Sequence, residues 1–253
     1  MNTFGNFHTY YGYRNQQRLD KRLRHLKEDL FQGKSVLDVG CNEGLLTILI
    51  AHLFRPESIH GVDLDPYLVR KARQNVLERS SLSHHDDPEF FPSSCIHQYG
   101  TRIKYIDKTQ TEKMVEANDM EVDDDSETPG FPFNIEFHCR DMVYAPVFKK
   151  YDTILALSVS KWIHIHHGDT GLKLFFQKCH SSLNQGGTFV LEPQPWESYL
   201  KAKKKNTNIK ELHIRPDMFT EVLKEIGFEL ISSVQVDQSA EGFTRPLFFF
   251  RKV

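Results

Sequence analysis

The stretch V-L-D-V-G-C-N-E-G at residues 36–44 runs from apolar residues through an acid and then brackets a short polar turn with Gly40 and Gly44. A second acid, Asp63, closes S-I-H-G-V-D at 58–63 and stands 23 residues after Gly40. An acid about 20 residues beyond a glycine turn is placed to take the two hydroxyls of a ribose. Glycines at such a turn let the backbone approach a ligand where a Cβ would clash. The pair reads as a nucleoside site. A dinucleotide needs G-x-G-x-x-G, so that bare N–H groups at a helix start meet a pyrophosphate. Here the middle glycine position is Asn42, and Glu43 would aim an anion at that spot. A phosphate-binding P-loop is excluded because no Lys-Ser/Thr follows Gly44.

The order D-x-G-x-x-x-G, then G-x-D, resembles the class I methyltransferases. Their ligand, S-adenosylmethionine, has a ribose, no phosphate, and an amino group that sits against acids and carbonyls. A Rossmann-like domain with a different nucleoside ligand fits the same spacing.

These residues need elements to hold them. The apolar run before Gly40 is a buried strand, and Leu45, Leu46, Ile48, Leu49 and Leu53 give the helix after it an apolar face. Residues 58–63 form the next strand. Pro66 suits a helix start, and Leu68, Val69, Ala72 and Val76 carry that helix to Arg79. Further strands are expected at 133–139, 151–158, 188–192, 228–236 and 246–250, with helices at 171–183 and 219–226. The strand at 151–158 should lie beside the first, its carboxyl end at the ligand crevice. The fold predicted is α/β, a seven-stranded and mostly parallel sheet with helices on both faces. One helix with the stripe Leu19, Leu23, Leu26 and Leu30 should precede it, carrying Arg14, Arg18, Lys21, Arg22, Arg24 and Lys27. Most of these charges belong to a solvated helix face.

The chain of 253 residues is long enough for one large domain. Cys41, Cys95, Cys139 and Cys179 are scattered without a C-x-x-C, which argues against a disulfide framework or zinc site and fits a reducing compartment. No signal peptide is visible, and no apolar run nears 18 residues. The net charge of −2 is unevenly spread. Residues 80–130 hold 12 acids against four Lys/Arg, a net of −8, and the remainder carries +6. That segment reads as a long acidic, disordered insertion, and its His84-His85-Asp86-Asp87 as no metal site. The basic remainder suits a polyanion ligand. Lys201, Lys203, Lys204, Lys205 and Lys210 form a basic, mobile segment. Residues 4–15 carry five aromatics and should pack onto the core or a ligand. His164, His166 and His167 lack an obvious set of co-ligands and read as structural or substrate-contacting, so no metal is expected.

Six blocks go further: Y-Y-G-Y-R-N (10–15), V-L-D-V-G-C-N-E-G (36–44), L-S-V-S-K-W-I-H (157–164), G-D-T-G-L (168–172), L-E-P-Q-P-W (191–196) and G-F-T-R-P (242–246). Together they resemble the bicoid-interacting family of RNA methyltransferases, from about residue 4 to the C-terminus apart from 80–130. The resemblance implies methyl transfer from S-adenosylmethionine to the γ-phosphate at an RNA 5′ end. It implies that Tyr11, Arg22, Gly40, Cys41, Asn42, Gly44, Asp63, Leu64, Asp141, Met142 and Leu157 surround the cofactor. Lys161, Arg14 and Tyr10 would hold the triphosphate, with Trp162, His164, Glu192, Gln194, Trp196 and Arg245 toward the RNA. In that family Asp141's position is often an amide that meets the adenine amino group. The partners implied are a small non-coding RNA with a 5′ triphosphate, of the 7SK or U6 kind, and ribonucleoprotein proteins. The setting implied is nuclear, without membrane, for a monomeric catalyst that is a bare catalytic domain.

The chemistry agrees with these residue types. A terminal phosphate oxygen is already an anion near neutral pH, so it needs no general base. What remains is to orient it and to hold the triphosphate charge, work for Arg and Lys. Three alternatives stay open: a sister branch that methylates 5′ monophosphates, an RNA-binding chaperone that retains its product, and a small-molecule methyltransferase.

Overall fold

Strands that are buried on both faces read as continuous apolar runs, and the first of them, β1 (Ser35–Val39), is buried at every position. In a computed structural model, which describes residues 20–82, 130–146, 149–202, 207–236 and 244–253, β1 lies inside a seven-stranded sheet. The others are β2 (Ser58–Asp63), β3 (Ile135–Cys139), β4 (Tyr151–Leu157), β5 (Leu183–Glu192), β6 (Phe228–Val236) and β7 (Arg245–Lys252). Their spatial order is β3-β2-β1-β4-β5-β7-β6. All neighbours are parallel except that β7 runs antiparallel to both β5 and β6. The chain direction reverses sides between β1 and β4, which sets a crevice at their carboxyl ends.

Helices α1 (Leu45–Phe54) and α2 (Pro66–Leu82) cover one face. They bury Leu46, Ile48, Ile50, Val69 and Ala72 against Val36, Leu155 and Val190. On the other face lie α3 (Ser160–Ser182) and α5 (Phe219–Ile226). Phe175, Phe176, Phe219 and Leu223 there pack on Leu37, Ile154 and Phe189. Alternate residues of one strand thus serve two separate cores, as predicted for helices on both faces. A short helix, α4 (Trp196–Ala202), follows β5. None of the described helices is long and apolar enough to cross a membrane.

Three expectations are corrected. The single helix through Leu30 is instead two 3₁₀ turns, Lys21–Arg24 and Glu28–Leu30. Asp20 caps the first by accepting from the Arg22 backbone N–H at 3.0 Å, and Lys27 then takes an extended backbone that restarts the turn. The helix expected from residue 171 begins at Ser160. Gly168, at φ 66° and ψ −172°, breaks it internally, so two helical arms meet there. Strand β5 begins at Leu183, which pairs with Tyr151, rather than after the Gly186-Gly187 pair.

The aromatic block at 4–15, with Tyr10, Tyr11 and Arg14, lies outside the described residues, as do 83–129 of the acidic segment, Lys203, Lys204 and Lys205, and residues 237–243.

Candidate functional site

The turn between β1 and α1 crosses the end of β2 and uses up its own donors. Gly40 and Cys41 donate their N–H groups to Val62 O at 2.8 and 3.0 Å. Asn42 N–H reaches Asp63 Oδ2 at 2.9 Å, and Glu43 N–H reaches Asn42 Oδ1 at 2.8 Å. Gly44 N–H returns to Cys41 O at 3.0 Å. All five loop amides are therefore satisfied internally, and none is left to cradle a pyrophosphate. The geometry agrees with the sequence argument against a dinucleotide.

Two of the loop positions leave no room for a side chain without movement of a neighbour. A Cβ at Gly44 would lie 2.5 Å from the Phe137 ring, and one at Gly40 2.6 Å from the Val159 side chain. Both have positive φ, 75° and 72° for Gly40 and Gly44, and Asn42 joins them at 55°. Asn is among the few non-glycine residues that settle in the left-handed region. Val159 thus ties the loop to the segment after β4.

Asp63 is buried, which pushes its pKa up, against the pull of the N–H donors of Asp65 and Asn42. Asp38, under the loop on β1, is pushed up to about 6 by burial, partly offset by a hydrogen bond from Thr47 Oγ1 at 2.6 Å. Burial, with Asp63 and Asp38 nearby, raises the Cys41 thiol well above its ordinary value, so it is a packing residue rather than a nucleophile. Leu64 is half-buried and offers its carbonyl to Cys139 Sγ at 3.5 Å. Beyond β3, Asp141 accepts from Val143 N–H at 2.8 Å and stands 3.7 Å from His167 Nε2. Met142 packs against the second core, and Leu157 closes β4 in the first.

Next to this nucleoside side lies a pocket of buried charge at the ends of β4 and β5. Its centre is Ser158, which has φ 63°, a left-handed backbone that side-chain-bearing residues rarely hold. Four contacts over-determine it. Its N–H donates to Glu192 O at 3.0 Å, and its Oγ donates to Glu192 Oε2 at 2.6 Å. Arg245 Nη1 donates to the same Oγ at 2.8 Å, and Gln194 Nε2 donates to its carbonyl. Glu192 Oε2 also accepts from Arg22 Nη1 at 3.2 Å. Arg22 grips Asp20 through Nε at 3.0 Å and Nη2 at 2.6 Å. Arg22, Glu192 and Gln194 are all buried. They assemble the pocket from beneath, and the Arg22 charge also reaches Asp38 under the glycine loop.

Lys161 opens onto the pocket from the first turn of α3. Its backbone N–H donates to Gln194 Oε1 at 3.2 Å. Its ammonium donates to Ser198 Oγ at 2.8 Å and lies 4.2 Å from the Trp162 ring centre. Both are neutral partners, and among the described residues no carboxylate pairs with it. Burial, and then the nearby Arg245 charge, lower its pKa to about 8. It remains an ammonium at pH 7. A buried cation that no described carboxylate pairs with, beside a second cation, has the electrostatics to take an anion.

A third layer orients this one. His164 is fully buried, with Nε2 2.7 Å from Asp169 Oδ1 and Nδ1 3.4 Å from the Tyr199 hydroxyl. Burial lowers the His164 pKa. Burial opposes the charge of Asp169, but hydrogen bonds from His164, His213 N–H and Ile214 N–H outweigh it and hold that carboxyl below its usual range. Asp169 follows the Gly168 break directly, so the break aims it at residues 213–214. Trp196 stacks on Tyr199 with ring centres 5.0 Å apart, and Arg215 lies 5.3 Å from the Trp196 ring. His164 can act on a substrate only through these neighbours, whereas Trp162 and Trp196 are part-exposed.

Sequence reasoning left out Ser158, Ser198, Thr47 and Asp169. Ser158 had a usable signal, a polar residue directly after the apolar run of β4. Ser198 had none, because its contact with Lys161 spans 37 positions.

Residues 151–252 match the family model of Bicoid-interacting protein 3 (Bin3), and residues 20–85 match that of ribosomal protein L11 methyltransferase (PrmA). The chain is 34% identical over 270 residues to the 7SK snRNA methylphosphate capping enzyme of Mus musculus, covering 98% of this chain and 40% of that protein. It thus spans about two fifths of that relative's length. It is also 34% identical to the U6 snRNA methylphosphate capping enzyme Amus of Drosophila melanogaster, covering 98% of this chain and 74% of the relative. Its identity to the RNA 5′-monophosphate methyltransferase of Mus musculus is 26%, over 74% of this chain and 58% of that protein. Among solved structures, the N-methyltransferase NodS of Bradyrhizobium japonicum WM9 in complex with S-adenosyl-l-homocysteine matches at 15% identity and a TM-score of 0.54, covering 91% of this chain and 86% of that one. The fold is that of the class I methyltransferases.

Proposed function

The chain belongs to the Bicoid-interacting protein 3 family, and from that premise we propose that it methylates the 5′ γ-phosphate of a small nuclear RNA, with S-adenosylmethionine as methyl donor. The observation that carries the reading is Lys161, a buried ammonium whose partners are a hydroxyl and an indole face, beside Arg245.

The nucleoside side fits the donor. In this reading Asp63 takes the ribose hydroxyls and Asp141 the adenine amino group, and the loop at 40–44, whose amides are all engaged, suits a ligand without phosphate. When bound, S-adenosylmethionine supplies a methyl group on a sulfonium, which an oxygen anion accepts without a base. Lys161 supplies the charge that holds the terminal phosphate, and Arg245 adds to the positive field around it. Ser158 and Gln194 fix the first turn of α3, so the ammonium is positioned before substrate arrives. Tyr10, Arg14 and Tyr11, which lie outside the described residues, are assigned to the triphosphate and cofactor by the family resemblance alone. Trp196, stacked on Tyr199, offers a face to an RNA base.

The test is methyl transfer from labelled S-adenosylmethionine to one RNA prepared with a 5′ triphosphate, monophosphate or hydroxyl. The expected result is label on the triphosphate alone, released when the γ-phosphate is removed. Label on the monophosphate would move the chain to the activity named for its 26%-identical relative. No label with either phosphate would overturn the reading.

A further inference from the structure

The outer edge of the sheet carries a second cluster of chemistry-bearing side chains, away from the pocket. His60 on β2 pairs in register with Glu136 on β3, and His138 follows Glu136 two residues later on the same face. One imidazole nitrogen from each histidine and one Glu136 oxygen all lie within 4.8 Å of one another. Glu136 Oε2 and His138 Nε2 are 3.2 Å apart, and the two histidine rings are 5.4 Å apart at 72°. We propose that His60, Glu136 and His138 form a binding site for a divalent metal ion of the zinc class.

The donor set is two imidazoles and one carboxylate, which suits zinc with one position open to water. Ligands around a tetrahedral zinc stand about 3.3 Å apart, so the Glu136–His138 spacing is already right. His60 also has the supporting contact that metal-bound histidines share. Its Nδ1 is 2.9 Å from the Tyr151 hydroxyl, which assigns Nε2 to the ion. Three cations lie nearby, and the charges of Arg73 and Arg140 act on His138. Arg73 donates to Phe137 O at 3.1 and 2.6 Å, Arg140 donates to Pro146 O, and Lys149 donates to Ser58 Oγ. Cys139 sits on the opposite face of β3 and takes no part. An ion here fastens the edge strand β3 to β2, three residues before Asp141.

The test is calorimetric titration of the chelator-treated protein with Zn²⁺ alone, alongside thermal unfolding with and without the ion. One equivalent should bind and raise Tm. His138→Gln and Glu136→Gln should each weaken binding roughly 10- to 100-fold, and Tyr151→Phe about tenfold through His60. Circular dichroism checks that each variant is folded. Tyr151→Phe keeps the ring in the core, so the idea stays testable even if His138→Gln or Glu136→Gln unfolds. Absence of saturable binding would overturn the proposal. So would binding that survives both Gln substitutions, because the ion would then be held elsewhere.

Discussion

The glycine loop and the Ser158 pocket lie side by side at one end of the sheet, yet they are built by opposite means. The loop is backbone geometry. Every one of its N–H groups bonds within 23 residues, and its shape is enforced by left-handed φ values at residues 40, 42 and 44. The pocket is side-chain charge gathered from afar. Its hydrogen bonds span 34 positions from Ser158 to Glu192, 87 from Ser158 to Arg245 and 170 from Arg22 to Glu192. Backbone sites fail locally when a Cβ intrudes. Buried-charge sites fail collectively when one member is lost, because the others stay buried and unpaired.

That difference sets the size of each expected effect. Glu192→Ala should be the most damaging, costing about 3–5 kcal/mol of stability, because Arg22 loses one of its two carboxylates and Ser158 Oγ loses the carboxylate it donates to, both buried. Denaturant unfolding measures this. A loss under about 1 kcal/mol would show that Asp20 alone neutralises Arg22, and that the pocket is not a unit.

Lys161→Ala should leave the chain folded and slow methyl transfer roughly 10²–10³-fold. Its pH behaviour sharpens the point. The folded pKa of about 8 lies below the ordinary 10.5, so between those values the unfolded chain holds the proton longer. Its contribution to stability therefore rises with pH across that window. Activity should do the reverse, with kcat/KM falling as pH passes about 8 and the ammonium is lost. Lys161→Arg should remove the falling limb. A limb that persists in that variant belongs to another group.

Gly44→Ala tests the backbone side. The new Cβ meets Phe137 at 2.5 Å and Ala72 at 2.9 Å on a positive-φ residue, so a loss of about 1–3 kcal/mol is expected, with weaker cofactor binding. Gly33 is the control, since it shares the positive φ but has nothing within 4 Å of the added atom. Gly33→Ala should cost only the conformational strain, about 1–2 kcal/mol. Equal losses at both positions would mean that close approach at Gly44 adds nothing.

The same contrast explains what could be read from the chain alone. Gly40, Gly44 and Asp63 announce themselves by type and spacing, because a left-handed turn and a strand-end acid are local requirements. The seven strands were legible for the same reason, as apolar runs bounded by turn residues. Arg22 stood out only through the family resemblance, and its pairing with Asp20 and Glu192 not at all, since no local pattern encodes a pair 170 residues apart. His164 resembled a substrate contact because it follows K-W-I. Only the fold shows that Asp169 and Tyr199 enclose it. The first helix was misread because the leucine stripe outweighed Asp20, whose carboxylate takes both the Arg22 amide and its guanidinium and starts a short turn at Lys21.

Asp38 is where the two regions touch, and it offers the smallest effect and the finest test. Burial raises its pKa to about 6, against a hydrogen bond from Thr47 and the nearby Arg22 charge. A folded pKa above the ordinary 3.8 means that the folded chain binds the proton more tightly. The resulting stability is complete below that value and is lost as pH rises through about 6. Asp38→Asn keeps an acceptor for Thr47 and carries no charge. Relative to the natural chain, the variant should therefore gain about 1–2 kcal/mol of stability between roughly pH 5 and pH 7.5. Thermal unfolding at the two pH values reads this directly. A gain of that size would show that the carboxylate under the loop is a burden which the backbone turn does not need. A loss would show that Asp38 belongs electrostatically with Arg22, and that the pocket of charge extends beneath the loop.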